Sequence, residues 1–246
     1  SPQKVCDEIE ELIAKYGAKE ILFCDDDFSL NMKRAEEICD EILRRGLKFR
    51  WSTSTRVDQV DENLLRKMKR AGCWLVCYGV ESGNQKILDA INKGININQV
   101  VSAFETTRRV GLATVFYAII GLPGETKETI QDTLDLMKKT KPSFISGGVL
   151  IVYPGSRLFK LIQQGKYKGR LRTLKKNEGM PGVYFKGNYT TLEDNLTFEE
   201  LKEAVKKMQR EFYFRPQYVI QSLKNIRSFG DLAYYLNGGI FCRKPA

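Results

Sequence analysis

Phe116-Tyr117-Ala118-Ile119-Ile120-Gly121-Leu122-Pro123-Gly124-Glu125-Thr126-Lys127-Glu128-Thr129 reads as a buried strand, a tight turn and the first turn of a helix. Val115 to Ile120 is almost wholly apolar, as a parallel strand covered on both faces should be. Gly121 and Gly124 bracket Pro123, so the backbone can turn sharply and expose its own amides and carbonyls. Thr126 stands at the N-cap position of the helix that follows. A corner of this kind is either a plain connection or a place where a ligand meets unpaired backbone at the carboxyl end of a strand. Its neighbours decide between the two.

Upstream, Val5, Ile9, Leu12, Ile13 and Tyr16 recur at helical spacing, which predicts an amphipathic helix over residues 3–17. Strands are predicted at 20–24, 49–55, 74–80, 113–120 and 144–152, with helices between them. Each strand ends in polar or glycine-rich residues: Asp25-Asp26-Asp27, Arg56, Glu81-Ser82-Gly83, Gly121 to Gly124, and Tyr153-Pro154-Gly155-Ser156. Strand and helix alternating at a spacing of roughly 25–35 residues is the rhythm of parallel βαβ units. The prediction is an α/β fold, a barrel or doubly wound sheet with its functional groups on one rim. The chain opens on a helix, although a helix packed on a sheet normally follows a strand. The first strand and its loop are therefore expected to lie outside these residues. After Ser156 the rhythm changes. Residues 161–190 are rich in Gly, Lys and Tyr, Thr197 and Glu200 form a capping box, and Pro216 suits the N1 position of a further helix. Two domains are expected, 1–160 and a basic, mainly helical extension at 161–246.

The 246 residues are 42% hydrophobic and 28% charged, which is ordinary globular material. No apolar run is long enough to cross a bilayer, and the opening Ser1-Pro2-Gln3-Lys4 is no secretory signal. Six cysteines (6, 24, 39, 73, 77 and 242) fall in elements that read as buried, which suggests free thiols and a cytoplasmic protein. Cys73 and Cys77 lie in a strand pattern roughly 13 Å apart, too far to share a metal ion. With no histidine in the sequence, a histidine-based triad or zinc site is excluded. The net charge is +10. Much of the excess lies between Arg157 and Lys176, which holds eight basic residues and no acidic one. Such a run is either a solvated face or a meeting place for nucleic acid or another anionic partner.

The strand ends together form a rim with both signs of charge: Asp25, Asp26, Asp27, Ser52, Ser54, Arg56, Glu81 and, a little later, Lys93. That set suits a zwitterionic ligand carrying hydroxyls. A carboxylate needs Arg or Lys, an ammonium needs Asp, and a diol suits Glu.

The ordered series Phe-Cys-Asp-Asp-Asp-Phe-Ser, Ser-Thr-Arg-Val-Asp, Ala-Gly-Cys, Gly79-Val-Glu-Ser-Gly83, Ile-Asn-Lys-Gly94, Ile120-Gly-Leu-Pro-Gly-Glu-Thr126 and Tyr153-Pro-Gly-Ser156 resembles the radical S-adenosylmethionine (SAM) enzymes. It is most similar to the branch that carries an N-terminal cobalamin-binding domain. The resemblance runs from residue 1 to about 160 and continues more loosely over 197–216. It implies a partial (βα)6 barrel resembling a TIM barrel, here without its first strand. It also implies a 4Fe-4S cluster that cleaves SAM reductively to methionine and a 5′-deoxyadenosyl radical. By position, Asp25, Asp26 and Asp27 would meet the SAM amino group and Lys93 its carboxylate. Glu81 would stand at the ribose, with Ser54 and Arg56 on the neighbouring strand end. Ile120, Gly121 and the backbone around Tyr153 would flank the adenine.

One element of that pattern is missing. The Cys-x3-Cys-x2-Cys loop that holds the cluster in this family is absent, and no three cysteines here have its spacing. The cluster ligands and any cobalamin-binding domain are thus expected from another part of the same polypeptide, and this chain alone is not expected to turn over. The substrate would be a small or lipid-like molecule, in a methylation, a cyclisation or a related radical reaction. A nucleic-acid-binding or tRNA-modifying module that uses the 157–176 run is the alternative.

Overall fold

The computed structural model describes residues 1–174, 189–215 and Tyr218. The chain divides into two compact units, Ser1–Leu150 with Asp194–Leu196, and Ile151–Glu193 with Thr197–Ala246.

In the first unit five strands form one parallel sheet: β1 (Glu20–Phe23), β2 (Arg50–Thr55), β3 (Cys73–Glu81), β4 (Ala113–Ile120) and β5 (Phe144–Val149), paired in chain order. The helices are α1 (Pro2–Tyr16), α2 (Met32–Arg45), α3 (Glu62–Arg70), α4 (Gln85–Ala90), α5 (Ile97–Val110) and α6 (Lys127–Thr140). The sheet is curled into part of a TIM-like barrel, the expected fold class. Local chemistry sets the element boundaries. The side chains of Asp61 and Thr126 cap α3 and α6 by accepting the amides of Leu64 and Thr129.

Side chains alternate across the strands, so each strand divides its residues between two faces. Tyr78 of β3 and Phe116 of β4 both meet Phe104 of α5, with ring centroids 5.1 Å and 5.7 Å away. These three rings are almost wholly buried, each contributing about 2–3 kcal/mol of hydrophobic stabilisation. The Tyr78 hydroxyl is satisfied by Thr107, 2.7 Å away. The opposite face is different. It carries the cross-strand row Gly79–Tyr117–Ser146, small or polar positions where a closed barrel would be filled by branched apolar side chains.

The second unit holds α7 (Arg157–Gln163), an antiparallel pair β6 (Arg170–Leu174) and β7 (Tyr189–Glu193), and α8 (Phe198–Tyr213). The Thr197/Glu200 capping box forms as the sequence predicts. The strand pair is not expected from the sequence, where residues 161–190 show no clear periodicity. Pro216 and, apart from Tyr218, the helix expected after it lie outside the described residues, as does Cys242.

The expectation that the cysteines are buried holds for Cys6, Cys39, Cys73 and Cys77 but not for Cys24. Cys24 follows the last residue of β1 and is exposed, because the strand is one residue shorter than its apolar run. Burial pushes the Cys39 thiol up to about 12. No described helix is long and apolar enough to cross a membrane.

Candidate functional site

At the carboxyl ends of β2 to β5 lies a cavity of about 370 Å3. It is lined by Asp26, Ser54, Arg56, Glu81 and Lys93 among the residues that the sequence nominated. A second groove is larger, about 500 Å3, and runs beside α1 and β1. Of the nominated residues it holds only Asp25, so convergence of charge, rather than volume, marks the site.

Each side chain is placed by a local device. Glu81 ends β3 at a register shift in the pairing with β4, and its φ is +70°. A non-glycine residue in the left-handed region costs about 1–3 kcal/mol, and such strain gathers at functional sites. The bulge turns Glu81 towards Lys93, whose Nζ donates to Oε1 at 2.9 Å. Both side chains are half-buried. Gly79 makes room for this pair, because a Cβ there would lie 2.7 Å from Glu81 Oε1 and 3.2 Å from Lys93 Nζ. Arg56 is held by Asp58 through two bonds of 2.9 Å and donates to the Lys93 carbonyl, also at 2.9 Å. The bonds to Asp58 raise the guanidinium pKa further. The result is one network, Asp58–Arg56–Lys93–Glu81, that crosses two strand ends and the loop before α5.

The three aspartates separate. Asp26 is exposed at the cavity. Asp25 faces Arg34 of α2, 3.9 Å away. Asp27 accepts from Thr55 at 2.9 Å and from Ser29, and its second oxygen is buried with no hydrogen-bond partner among the described residues. Ser29 and Thr55 are themselves hydrogen-bonded. Asp27 thereby ties the β1 loop to β2, so one residue of the triplet is left for a ligand. Ile120 is fully buried at the end of β4, and its carbonyl is taken by the Leu150 amide at 2.8 Å. Gly121 follows in the turn. Neither lines the cavity, which takes Tyr117, Ala118 and Ile119 from β4. Tyr153 is an exposed residue of the second unit.

Sequence reading missed the wall made by Gly79, Tyr117, Ser146, Gly147 and Gly148. The available signal was the Ser-Gly-Gly run inside β5, where a buried strand would carry side chains. Burial raises the Tyr117 hydroxyl pKa. Burial likewise raises the Cys77 thiol, and the Tyr117 hydroxyl bonded to it lowers it in part.

The mixed-charge set, the small-residue wall and the volume suit a compact zwitterion such as SAM. The described cysteines do not suit an iron–sulfur cluster. That cluster needs converging thiolates, whereas four of the thiols are buried on separate positions and Cys24 is alone. Among the described residues no group of three or more metal-ligating side chains occurs.

In the basic run, Arg170 bonds Glu193, and Arg172 bonds both Glu193 and Glu199 at 2.9–3.1 Å. These two cations of the run are engaged within the second unit. Residues 175 and 176 of the run lie outside the described residues.

A parallel half-barrel with a mixed-charge cavity on its carboxyl rim defines a class of cofactor-dependent α/β enzymes. The Radical SAM superfamily model matches residues 1–137, and the chain belongs to that family. An uncharacterized methyltransferase of Pyrococcus horikoshii is 32% identical over 228 residues, covering 91% of this chain and 47% of that protein. The anaerobic magnesium-protoporphyrin IX monomethyl ester cyclase of Cereibacter sphaeroides is 32% identical over 163 residues, covering 65% and 27%. Among solved structures, the radical SAM methyltransferase TsrM from Kitasatospora setae, with cobalamin and a 4Fe-4S cluster bound, has a TM-score of 0.72 at 18% identity. The match covers 85% of this chain and 46% of that one. The chain thus spans about half the length, or less, of these proteins. The family uses SAM and a 4Fe-4S cluster, and the relatives are methyltransferases and cyclases.

Proposed function

We propose that this chain is the SAM-holding part of a radical SAM enzyme of the cobalamin-dependent kind, acting on a small or lipid-like substrate by methyl transfer or cyclisation. The observation that carries this reading is the convergence of Asp26, Arg56, Glu81 and Lys93 on one cavity in a chain of this family.

The roles follow from charge and position. Asp26, exposed and acidic, takes the ligand's ammonium group. Arg56 and Lys93 supply positive charge for its carboxylate, and Glu81 accepts from the ribose hydroxyls. Because Lys93 and Glu81 are bonded to each other, the ligand inserts its own charges into a pair already neutralised, so neither is stranded in a half-buried site. The β4 residues Tyr117, Ala118 and Ile119 flank the adenine. A cluster held outside the described residues would supply the reducing electron for SAM cleavage. Its ligands come from a segment of the same polypeptide that packs beside β1, the edge of the sheet, and cobalamin is held by a further domain. What this chain contributes is binding, orientation and a sheltered wall.

The test is a longer polypeptide that includes the upstream segment, reconstituted anaerobically with iron and sulfide. It should show cluster absorbance and convert SAM to 5′-deoxyadenosine, with S-adenosylhomocysteine as well if methyl transfer uses cobalamin. A correctly folded polypeptide with neither cluster nor SAM cleavage sinks the proposal.

A further inference from the structure

The foot of the sheet, the rim opposite the cavity described above, carries a second concentration of charge. A cavity of about 380 Å3 lies there, at the amino ends of β2 and β3, where α2 and α3 finish. Lys19, Lys48, Arg50 and Arg70 line it, and no acidic residue does. Its apolar lining includes Leu43 and Leu47. Roughly 13 Å of β2 separates Arg50 from Ser54 of the upper cavity, so the two open on opposite rims.

The walls are fixed by close packing. Gly72 has φ of +95°, and a Cβ there would lie 2.4 Å from the Phe49 carbonyl oxygen. The turn between α3 and β3 therefore closes on the start of β2 only because this position is glycine. Trp51 holds the same turn, its indole donating to the Ala71 carbonyl at 2.8 Å and its amide to the Gly72 carbonyl at 3.2 Å. The Arg50 guanidinium lies over the Trp74 ring, 4.4 Å from its centroid, which restricts its orientation. Glu20 of β1 accepts from the Trp74 indole at 2.8 Å and is not part of the lining.

Two ordinary uses of basic residues at helix ends are already met by other groups. One is to satisfy the last carbonyls. Here backbone does so: the Gly46 and Leu47 amides donate to the Leu43 and Ile42 carbonyls at 3.1 Å and 3.2 Å. The Ala71 and Gly72 amides donate to the Lys67 and Lys69 carbonyls at 3.0 Å and 3.1 Å. The other use is to form surface ion pairs and to offset the helix dipole. Arg44 and Arg45 in the last turn of α2 bond Glu41, and Lys67 in α3 bonds Glu36 and Asp40. Lys69 donates to the Val110 carbonyl at 2.7 Å. The four cations that line the cavity have no salt bridge among the described residues.

Four like charges are thus left around one hollow with apolar walls, an arrangement that focuses the field and concentrates counter-ions. We propose that this hollow is a binding site for a small diphosphate. That class of anion has the charge to meet several cations and the oxygens to engage two guanidinium forks. The volume lies in the range of small-molecule sites. Nucleic acid needs a track of free cations along its backbone, whereas the neighbours Arg44, Arg45 and Lys67 are paired. The site stands independently of the SAM reading.

Calorimetric titration of the 246-residue chain with inorganic pyrophosphate, at fixed ionic strength, tests this. One equivalent should bind, in the micromolar range. Arg50→Gln and Arg70→Gln should each weaken binding about tenfold, with urea midpoints that show both variants folded. Lys139→Gln, in the last turn of α6 and outside the cavity, should leave the affinity unchanged. A short single-stranded RNA should bind more weakly than pyrophosphate under the same conditions. Binding of several equivalents, or equal weakening by Lys139→Gln, would be diffuse surface attraction and would overturn the site. Tighter binding of the RNA, lost in Arg70→Gln, would assign the hollow to nucleic acid and overturn the proposal. No heat of binding from pyrophosphate, with no displacement of a labelled pyrophosphate in dialysis, overturns it outright.

Discussion

Two residues on the carboxyl rim of the sheet matter without offering a functional group to a ligand. Gly79 is one. Its missing side chain is the space in which Glu81 and Lys93 meet. Gly79→Ala should displace the flexible ends of Glu81 and Lys93 and lower SAM affinity by about tenfold, with little loss of stability because both side-chain tips can swing away. Calorimetric titration and urea unfolding measure the two effects, and unchanged affinity would remove the Glu81–Lys93 pair from the site. Glu125, buried in the turn after β4, is the other, and it makes a stability prediction. Its folded pKa of about 7 lies above the unfolded value, so the native state holds its proton more tightly. Its contribution is therefore fully present below about pH 4.5 and falls as pH rises through about 7, by about 3 kcal/mol in all. The wild-type chain should lose stability relative to Glu125→Gln across that window, read as the difference between their urea midpoints. A difference that stays flat with pH contradicts a proton held by Glu125. Neither role could be read from residue type alone. Gly79 and Glu125 stand in quoted motifs, but the left-handed φ of Glu81 and the inward path of the Glu125 side chain are set by tertiary packing.

The strands, the helices between them and the charged strand ends were legible at the scale of elements, because apolar runs ending in polar clusters repeat five times. The division of labour at those ends was not. Asp25, Asp26 and Asp27 are adjacent in sequence yet face Arg34, the cavity and Thr55 respectively, since a chain leaving a strand turns its side chains in successive directions. The β3 end shows a second such contact. The Gly83 amide donates to the Thr133 hydroxyl at 2.8 Å, and the Asn84 side chain donates to Asp132 at 2.7 Å. A Cβ on Gly83 would fall on the Asp132 carbonyl and the Thr133 Cα. Gly83→Ala must therefore pry α6 from the strand end that also presents Glu81. The expected cost is about 2–3 kcal/mol, seen as a lower urea midpoint. Thr133→Ala, which removes the hydroxyl but adds no bulk, should cost only about 1 kcal/mol. Equal losses in the two variants would show that the hydrogen bond, not the close approach, governs this docking.

Across the molecule, the sheet ends at β1, which among the described residues is paired on one side only. Parallel strands are ordinarily covered on both faces, yet Leu22 of β1 is 60% exposed, and Leu12 and Tyr16 of α1 are exposed beside it at 38% and 67%. They line the groove of about 500 Å3. Unpaired backbone next to exposed apolar side chains is a template for association. The net charge of +10 opposes contact between copies through long-range repulsion, which salt screens. The chain should thus self-associate at micromolar concentration, more strongly as salt is raised, in sedimentation velocity experiments. Leu22→Lys puts a charge on the edge strand, the device natural sheets use to stay apart, and should shift the population towards monomer at every salt concentration. If the 246-residue chain is monomeric in high salt, or if Leu22→Lys associates like the wild type, the β1 edge is not the sticky surface.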